Sequence, residues 1–339
     1  MREIEIRSNE AIVRNFELRS TANFETHKYF HDRGYLEAET PILTPKPEIA
    51  PVRQFQTTDG LNEYYLRMTD TEYLRRLLTC GFPNLYQLSK HFRVNDQSNK
   101  SLPEFTQLSV ASRGANYIDM VSMVRNYMID VAKTTTGLAT VNVFGQTIDM
   151  SDEWKTLTMK DALKEYADID LDLNLDPNNL EQTMRRKGLE IPIKAAQYLG
   201  VIRYNILMES ILDNNVINNF RGILFLTEFP YEFGGPGKEV AGRPAYKQRG
   251  EVFFNGVEMM NGVSTQTDGI KLRNRYTETL DCQLESGLWS GKELDDEYLA
   301  AIELGIPESA AISLGYDRFI MALTSNNNIK EVVLYPEIK

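Results

Sequence analysis

The segment from Asn84 to Ala111 begins with alternating apolar and polar residues, and its pattern as a whole predicts an antiparallel hairpin. The first strand gives way to a polar loop from Asn95 to Ser101, and an apolar strand resumes from Glu104 to Val110. Arg93 stands at the end of the first strand and Phe105 just beyond the loop. A guanidinium group and an aromatic ring are therefore expected to face one cleft.

Helical spacing of apolar residues in the segment from Ala11 to Arg33 predicts a long helix that begins after a cap within Ser8-Asn9-Glu10 and ends at Gly34. The residues from Tyr35 to Pro41 then predict a strand that stops at proline. The same criteria predict strands or hairpins at Tyr64–Arg67, Val141–Met150, Gly222–Thr227, Glu251–Gly262 and Ala310–Leu314, and helices at Thr71–Leu78, Tyr117–Lys133, Ala195–Leu212, Asp268–Glu285, Asp295–Leu304 and Asp317–Leu323.

The pattern turns largely helical between Thr156 and Asn215 and includes an acidic connector from Asp170 to Asn179. We interpret residues 156–215 as a helical insertion within one catalytic domain that spans residues 1–339. The alternative is that this segment simply continues the main core.

The composition is typical of a globular protein and does not indicate a membrane protein. The chain has 339 residues, is 42% hydrophobic and carries a formal charge of −11, as a globular protein of the cytoplasm would. Its apolar runs are too short to span a bilayer, and Met1–Glu5 lacks a signal-peptide core, so no membrane partner is expected. The negative charge makes the chain no obvious nucleic-acid binder, although a local basic face can exist within a negative total.

The histidine and cysteine residues indicate neither a metal site nor a catalytic triad. The 3 histidines are scattered, which argues against a histidine metal site or a catalytic triad. Cys80 and Cys282 lack metal-binding spacing, and we expect both to be buried thiols.

The first hairpin resembles motif 2 of the class II aminoacyl-tRNA synthetases. Phe92-Arg93, a loop and Pro103-Glu104-Phe105-Thr106 match the pattern of that motif. An arginine fork suits phosphate and carboxylate oxygens, and an aromatic face suits a base. The resemblance implies that Arg93 holds the substrate carboxylate beside the α-phosphate of ATP and that Phe105 stacks on adenine.

Glu251 and Glu258 lie on opposite arms of a predicted hairpin whose turn is Asn255-Gly256, close enough to converge on one cation. Mg²⁺ accepts such carboxylates together with substrate phosphates. The run Phe254-x-Gly256-x-Glu258-x-x-Asn261-Gly262 resembles the lysyl-tRNA synthetase branch of class II. In that branch the matching glutamates hold Mg²⁺ on ATP, so ATP and Mg²⁺ are the expected cofactors.

The segment from Gly305 to Arg318 resembles motif 3 of the same branch, where a strand runs directly into a helix. The resemblance assigns the γ-phosphate of ATP to Arg318. The helix and strand between Ala11 and Pro41 resemble motif 1, which forms the dimer interface in the family. A homodimer is therefore expected.

The resemblance extends from about Ser8 to Pro336 and implies an α+β fold, a mainly antiparallel sheet flanked by helices with a helical insertion. It covers the catalytic domain, without the amino-terminal anticodon-binding barrel of lysyl-tRNA synthetases. In this respect the chain is similar to the elongation factor P lysine ligases.

The predicted substrate pocket departs from the lysyl branch. The carboxylate that grips the lysine side chain falls at Ser109, its tyrosine neighbour at Ala111, and a further pocket glutamate at Thr265. A buried ammonium without a counter-charge is costly, so these positions predict that lysine is a poor substrate. The remaining pocket positions are Asn261, which matches the family, Val263 in place of phenylalanine, Ser313 in place of glycine, and Thr71 in place of the glutamate for the α-amine, with Asp70 or Glu72 as possible substitutes.

Three functions remain open. The first is ATP- and Mg²⁺-dependent activation of an amino acid other than lysine, or of a related carboxylic acid, as an acyl-adenylate. Its acceptor could be tRNA, a protein, a carrier thiol or a small amine. The second is a lysine or β-lysine ligase that acts on a protein such as elongation factor P. The third is a catalytically silent regulatory or binding protein, which the altered motif 2 loop keeps open.

Overall fold

The structure, a computed structural model, describes residues 2–49, 54–94, 97–287 and 293–336. The strands in chain order are β1 (Leu36–Glu37), β2 (Leu43–Thr44), β3 (Gln56–Thr58), β4 (Glu63–Leu66), β5 (Asn84–Phe92), β6 (Glu104–Arg113), β7 (Thr140–Val143), β8 (Gln146–Asp149), β9 (Lys155–Thr158), β10 (Ile223–Pro230), β11 (Glu239–Val240), β12 (Arg243–Phe254), β13 (Val257–Ser264) and β14 (Ser309–Gly315).

The α-helices of the described ranges are α1 (Arg2–Ser8), α2 (Glu10–His31), α3 (Thr71–Thr79), α4 (Tyr117–Thr136), α5 (Met159–Ala167), α6 (Pro177–Lys187), α7 (Gly200–Ile211), α8 (Gly269–Glu285), α9 (Asp296–Glu303) and α10 (Tyr316–Leu323). A π-helical segment, Leu212–Ile217, extends α7. Single 3-10 turns occupy Leu171–Leu173, Ile193–Gln197 and Ile329–Glu331.

A 9-stranded sheet organises the described chain, with the order β1-β5-β6-β14-β13-β12-β10-β9 and with β11 paired to β12. Its pairs are antiparallel except at the two ends, where β1 runs parallel to β5 and β9 runs parallel to β10. The expected α+β fold with a mainly antiparallel sheet is confirmed.

The two faces of this sheet have different coverings. One face packs on α2, α4 and α10 through buried residues such as Phe30, Val124 and Phe319. On the other face, α5 to α7 cover one end, and α3 covers the opposite end through Leu74 and Leu78. Between these two coverings the second face carries polar side chains, and this strip is the floor of the cleft described below.

Local signals account for the helix starts. The side chain of Asn9, one of the three residues in the predicted cap Ser8-Asn9-Glu10, accepts the amide of Ala11 at the start of α2. Asn116 and Asp119 form a reciprocal capping box at α4. These caps satisfy backbone donors that have no partner within the helix.

Several predictions were incomplete or wrong. The strand after α2 is only Leu36–Glu37, and the short helix α1 was not predicted. The first residues of the segment 156–215 belong to β9 of the central sheet, so its helices follow a core strand. Cys80 is exposed just beyond α3, which contradicts the prediction that it is buried. Among the described helices, none is long and apolar enough to cross a bilayer.

Candidate active site

The β5–β6 hairpin brings Arg93 and Phe105 together. Phe105 pairs with His91 in the ladder, and the Arg93 amide donates to the carbonyl of Pro103 at 2.9 Å, so both residues stand where the hairpin opens. The Arg93 guanidinium carbon lies 5.4 Å from the centre of the Phe105 ring. The expected pairing of a guanidinium with an aromatic face is present, while Asn95 in the loop lies outside the described residues.

The β12–β13 hairpin carries Glu251 and Glu258. Asn255 and Gly256 both adopt positive φ, at 45° and 79°, which the tight turn requires and which Asn-Gly favours. A bulge between Val252 and Phe253 shifts the register, so that Glu251 lies opposite Asn261. The Asn261 amide donates to the Glu258 carboxylate at 3.1 Å and thereby links the two acidic positions.

Arg318 closes the other side of this cleft. Its Nη1 donates to the backbone carbonyl of Glu258 at 2.7 Å and lies 3.4 Å from the Glu258 carboxylate. Its Nε donates to the carbonyl of Lys100 in the hairpin loop at 3.3 Å. The neighbouring Asp317 accepts the Thr106 amide and forms an ion pair with Arg19, each at 2.7 Å, which fixes the start of α10 against β6.

These side chains surround one small cavity of about 90 Å³. Its lining includes Arg93, Phe105, Glu258, Arg318, Asn261 and Ser313. The arrangement places cationic groups, a flat aromatic face and a carboxylate around one volume, and these are the groups that contact phosphates and a base, although the enclosed space is smaller than a whole nucleotide.

The two glutamates differ electrostatically. Burial and the neighbouring Glu258 raise the pKa of the Glu251 carboxyl, and Arg249, which donates to Glu251 at 2.5 Å, only partly offsets this. Burial also opposes ionisation of Glu258, but Arg318, the Asn261 amide and Arg93 outweigh it and lower its pKa. A divalent cation between the two carboxylates would relieve their mutual repulsion.

The carboxylates of Glu251 and Glu258 fit a Mg²⁺ ion that a substrate also helps to hold. Within the described ranges there is no group of three or more metal-ligating His, Cys, Asp or Glu side chains. Two carboxylates alone leave several positions of an octahedral ion open, and nucleotide phosphates and water would fill them.

The floor of the cleft continues from Asn261 across β14 to β6. Asn261 pairs with Ser313, and Ser313 pairs with Ser109. The Gln107 amide donates to the hydroxyls of both serines at 3.0 Å. Ser109 and Ser313, both predicted pocket residues, thus lie side by side in a neutral hydrogen-bonded row.

A buried carboxylate approaches this row from the start of α3. The Asp70 carboxylate accepts from Ser89 at 3.2 Å and lies 3.4 Å from His91 Nε2. Burial opposes its ionisation, but His91 and the hydroxyl of Ser109 outweigh that effect and lower the Asp70 pKa. Ser109 therefore has an anionic neighbour that its own sequence position did not reveal.

Two further carboxyl groups lie beside Thr71. The Glu48 carboxyl accepts the amides of Met68 at 2.6 Å and Thr69 at 3.1 Å, while Glu72 accepts the Tyr276 hydroxyl at 2.7 Å. Burial and the charge of Glu72 raise the pKa of Glu48 to about 8. Glu48 was not predicted, since it lies in a proline-rich loop whose only local signal was its acidity.

The remaining predicted pocket residues lie further along the sheet. Ala111 is buried in a small apolar cluster with Leu74 and Leu78 of α3. Val263 pairs with Arg249 on one side and with Ala311 on the other. Thr265 follows β13 and is buried, and its hydroxyl has no hydrogen-bond partner.

A lysine that sequence reasoning missed completes this end of the cleft. Lys247 on β12 is fully buried, with a relative exposure of 0%. Burial lowers its pKa well below the usual range, and Arg249 and Arg275 act in the same direction. The alternating pattern of β12 could have placed Lys247 on the same face as Arg249 and Glu251, but not shown that it is covered.

Comparison with known proteins gives one consistent result. The family profile described as "tRNA synthetases class II (D, K and N)" matches residues 1–339. A lysine–tRNA ligase of Clostridium perfringens (strain SM101 / Type A) is 31% identical over 340 residues, which cover 100% of this chain and 67% of the relative. A lysine–tRNA ligase of Clostridium botulinum (strain Langeland / NCTC 10281 / Type F) is 30% identical over 330 residues, covering 96% of this chain and 64% of the relative.

Proposed function

We propose that this chain, which belongs to the class II tRNA synthetases (D, K and N), is a ligase that activates an amino acid with ATP. An oxygen of the substrate carboxylate attacks the α-phosphorus of ATP, and the bond from that phosphorus to the bridging oxygen of the β-phosphate breaks. The products are an aminoacyl-adenylate and pyrophosphate.

One observation carries this assignment: Arg93, Phe105, Glu258 and Arg318 line a single cavity although they come from three separate hairpin and helix elements. Chance proximity of this set would not also supply a flat face for a base, cations for phosphates and carboxylates for a metal. Catalysis in such a site consists of positioning and charge neutralisation.

Each side chain has a role that its position supports. Arg93 binds the substrate carboxylate and the α-phosphate, where a planar fork can hold oxygens of both groups. Phe105 stacks on adenine, and Arg318 binds the γ-phosphate from the first turn of α10. Glu251 and Glu258 hold Mg²⁺, which when bound neutralises charge on the phosphates.

The substrate ammonium has a receptor in Glu48 and Glu72. Burial and the charge of Glu72 raise the pKa of Glu48, so a proton on Glu48 relieves this unfavourable charge in the free protein. An ammonium group provides the same compensation without a proton. The uncharged Thr71 directly precedes Glu72 in the chain and belongs to the same proposed binding surface for the ammonium group.

Two observations bear on the identity of the amino acid. The relatives' names favour lysine, and the Asp70 carboxylate beside Ser109 could receive a cation. The neutral residues Ser109, Val263 and Thr265 favour an amino acid other than lysine. Family membership makes tRNA the first acceptor to test, ahead of a protein, a carrier thiol or a small amine.

A two-fold dimer forms around α2 and the first strands. Phe24, Leu36 and Leu43 are 65%, 51% and 49% exposed. Residues of α2 and of the β5–β6 hairpin line a cavity of about 740 Å³. Exposed apolar area of this kind is typical of a subunit interface. Light scattering should give twice the 38.9 kDa chain mass, and an active species that remains monomeric at all concentrations would exclude the dimer.

The function is tested by amino-acid-dependent exchange of labelled pyrophosphate into ATP, which needs no acceptor. Exchange that requires both Mg²⁺ and an amino acid supports activation. Tight Mg·ATP binding without exchange for any amino acid would instead favour a silent binding protein.

A further inference from the structure

Lys247 lies on the cleft face of the sheet. Side chains two residues apart in a strand share a face, so Lys247, Arg249 and Glu251 form one row along β12. Glu251 ends the row at the proposed metal site. Lys247 ends it at the opposite side, beyond Val263 in the direction of Thr265.

The Lys247 ammonium is held by backbone carbonyls. Its Nζ donates to the carbonyl of Gly235 at 2.6 Å and to that of Tyr231 at 3.3 Å. The nearest carboxylates already have partners, since Glu251 pairs with Arg249 and Glu232 with Arg275, each at 2.5 Å. Within the described ranges, Lys247 therefore has no carboxylate at ion-pair distance.

Glycines allow the segment over Lys247 to approach closely. A Cβ atom at Gly237 would lie 2.5 Å from Val263 Cγ2 and 3.6 Å from Lys247 Cδ, so Gly237 lies against both side chains. This contact ties Lys247 to Val263, a residue of the expected pocket. At Gly235, by contrast, a Cβ atom would meet no atom within 4 Å, so the carbonyl that covers Nζ belongs to a loosely packed residue.

Two buried hydroxyls add to this end of the cleft. Thr265 and Ser309 are 3% and 1% exposed, and neither hydroxyl has a hydrogen-bond partner. Their backbones are joined, because the Thr265 amide donates to the Ser309 carbonyl at 2.9 Å. Buried polar atoms without partners are uncommon in proteins and indicate that a ligand or water completes them.

We propose that the substrate is an amino acid whose side chain ends in a carboxylate, with Lys247 as the ion-pair partner of that carboxylate and with Thr265 and Ser309 as hydroxyl donors. This inference rests on the proposed function and specifies its substrate class. The carboxylate replaces the Gly235 carbonyl as acceptor of the Lys247 ammonium. A buried ammonium that has only dipoles as partners gains much more from a carboxylate than an exposed one would.

The competing reading is a cationic substrate held by Asp70. Asp70 lies at the start of α3 rather than beside Thr265. Its Oδ2 accepts from Ser89 and lies 3.4 Å from His91 Nε2, while its Oδ1 has no hydrogen-bond partner. A substrate ammonium near Lys247 would meet a like charge. The geometry at the Lys247 end thus favours an anion over a cation.

Pyrophosphate exchange with matched amino acids tests the inference. Aspartate and glutamate should be compared with their amides asparagine and glutamine, and with lysine and ornithine. One acidic amino acid should exceed its own amide by at least about tenfold in kcat/KM, since one lost charge-assisted contact corresponds to that factor or more. A preference for lysine, ornithine or a neutral amino acid would overturn the inference while leaving the proposed function intact.

Substitution of Lys247 distinguishes a role in binding the substrate carboxylate from a general loss of activity. Lys247→Met keeps an unbranched chain of similar length and should lower kcat/KM for the acidic substrate at least about tenfold, mainly through KM. Lys238→Met is the matched control, because Lys238 lies in the same segment but pairs at the surface with Glu308 at 2.5 Å. The control should leave exchange unchanged, and equal effects of the two substitutions would contradict the assignment.

Calorimetric titration of aspartate and glutamate, in the presence of a non-hydrolysable ATP analogue and Mg²⁺, gives a readout that needs no turnover. Binding that is lost in Lys247→Met, with thermal unfolding unchanged, supports the ion pair. If wild type and Lys247→Met bind the acids equally, or neither binds them, Lys247 is not the receptor. Absence of exchange for every amino acid, with Mg·ATP still bound, would reject the proposed function itself.

Discussion

The cleft has two halves on one face of one sheet. The proposed nucleotide half contains Arg93, Phe105, Glu258 and Arg318, and the proposed side-chain half contains Lys247, Thr265 and Ser309. The two halves differ in how their charges are arranged. In the nucleotide half, Arg318 lies 3.4 Å from the Glu258 carboxylate, so opposite charges are already close to one another. In the side-chain half, Lys247 has backbone carbonyls as its partners, and the buried hydroxyls of Thr265 and Ser309 have no hydrogen-bond partner. The first half is therefore balanced before a ligand arrives, while in the second no carboxylate of the described residues pairs with the charged form of Lys247, whose pKa burial lowers.

This difference separates two requirements of an adenylate-forming enzyme. ATP and Mg²⁺ present the same charges whatever acid is activated, so their binding groups can stay constant. The acid is recognised by a few groups at the far end, where a change in sign alters specificity without touching the chemistry. The relatives' activity thus supports the reaction more strongly than it supports the substrate.

The largest expected effect comes from Arg93→Ala. Loss of this guanidinium removes the group proposed to position both reacting partners, and exchange should fall by about 10²–10³, as for removal of a single oxyanion donor in other enzymes. Arg113→Ala at the exposed end of the same hairpin is the control. Retention of normal exchange in Arg93→Ala would show that the nucleotide half is misassigned.

The next effect concerns the metal. Glu258→Gln keeps the shape of the side chain but removes its charge, so Mg·ATP binding measured by calorimetry should weaken by roughly 10-fold to 100-fold, on the scale of a charge-assisted contact. Glu285→Gln on the exposed surface of α8 should bind normally. Equal affinity of the Glu258 variant and the wild type would place the cation elsewhere.

The side-chain half can be tested by reversing its charge. The double substitution Ser109→Glu with Thr265→Glu should raise lysine-dependent exchange by roughly tenfold or more and lower exchange with the natural substrate, because a carboxylate partner stabilises a buried ammonium. Glu104→Gln, at the exposed start of β6, controls for altered charge near the hairpin. If the unmodified protein already activates lysine best, the neutral pocket does not exclude it.

A smaller effect is expected at the adenine face. Phe105→Ala should raise the KM for ATP by about tenfold with little change in kcat, because base–aromatic stacking contributes about 1–3 kcal/mol. Phe82→Ala removes a ring of the same size from an exposed position that is 38% accessible. A fall in kcat without a change in KM would indicate that Phe105 acts by orienting Arg93 instead.

Local patterns in the sequence were sufficient to predict which residues come together in the proposed nucleotide half. Arg93 and Phe105 flank one hairpin loop, and Glu251 and Glu258 flank an Asn-Gly turn, so short-range geometry alone brings each pair together. Arg318 follows a strand that leads directly into α10. The strand order, by contrast, depends on long-range pairing that no local pattern specifies.

The groups that sequence reasoning missed are those whose character comes from distant segments. Glu48 faces Glu72 only after the loop before β3 folds onto α3, and the resulting pKa of about 8 could not be inferred from its neighbours in the chain. Lys247 looks like an ordinary strand lysine until residues 231–237 cover it. Burial and charge compensation are properties of the folded chain, and they decide what these residues can do.

The central claim is that this chain forms an aminoacyl-adenylate, and pyrophosphate exchange tests it most directly. Purified protein, Mg²⁺, ATP and labelled pyrophosphate should be incubated with each amino acid separately, beside Arg93→Ala as an inactive control. We expect label to enter ATP only when both Mg²⁺ and the correct amino acid are present, and not in the variant. No exchange with any amino acid, in protein that binds Mg·ATP, would contradict the account.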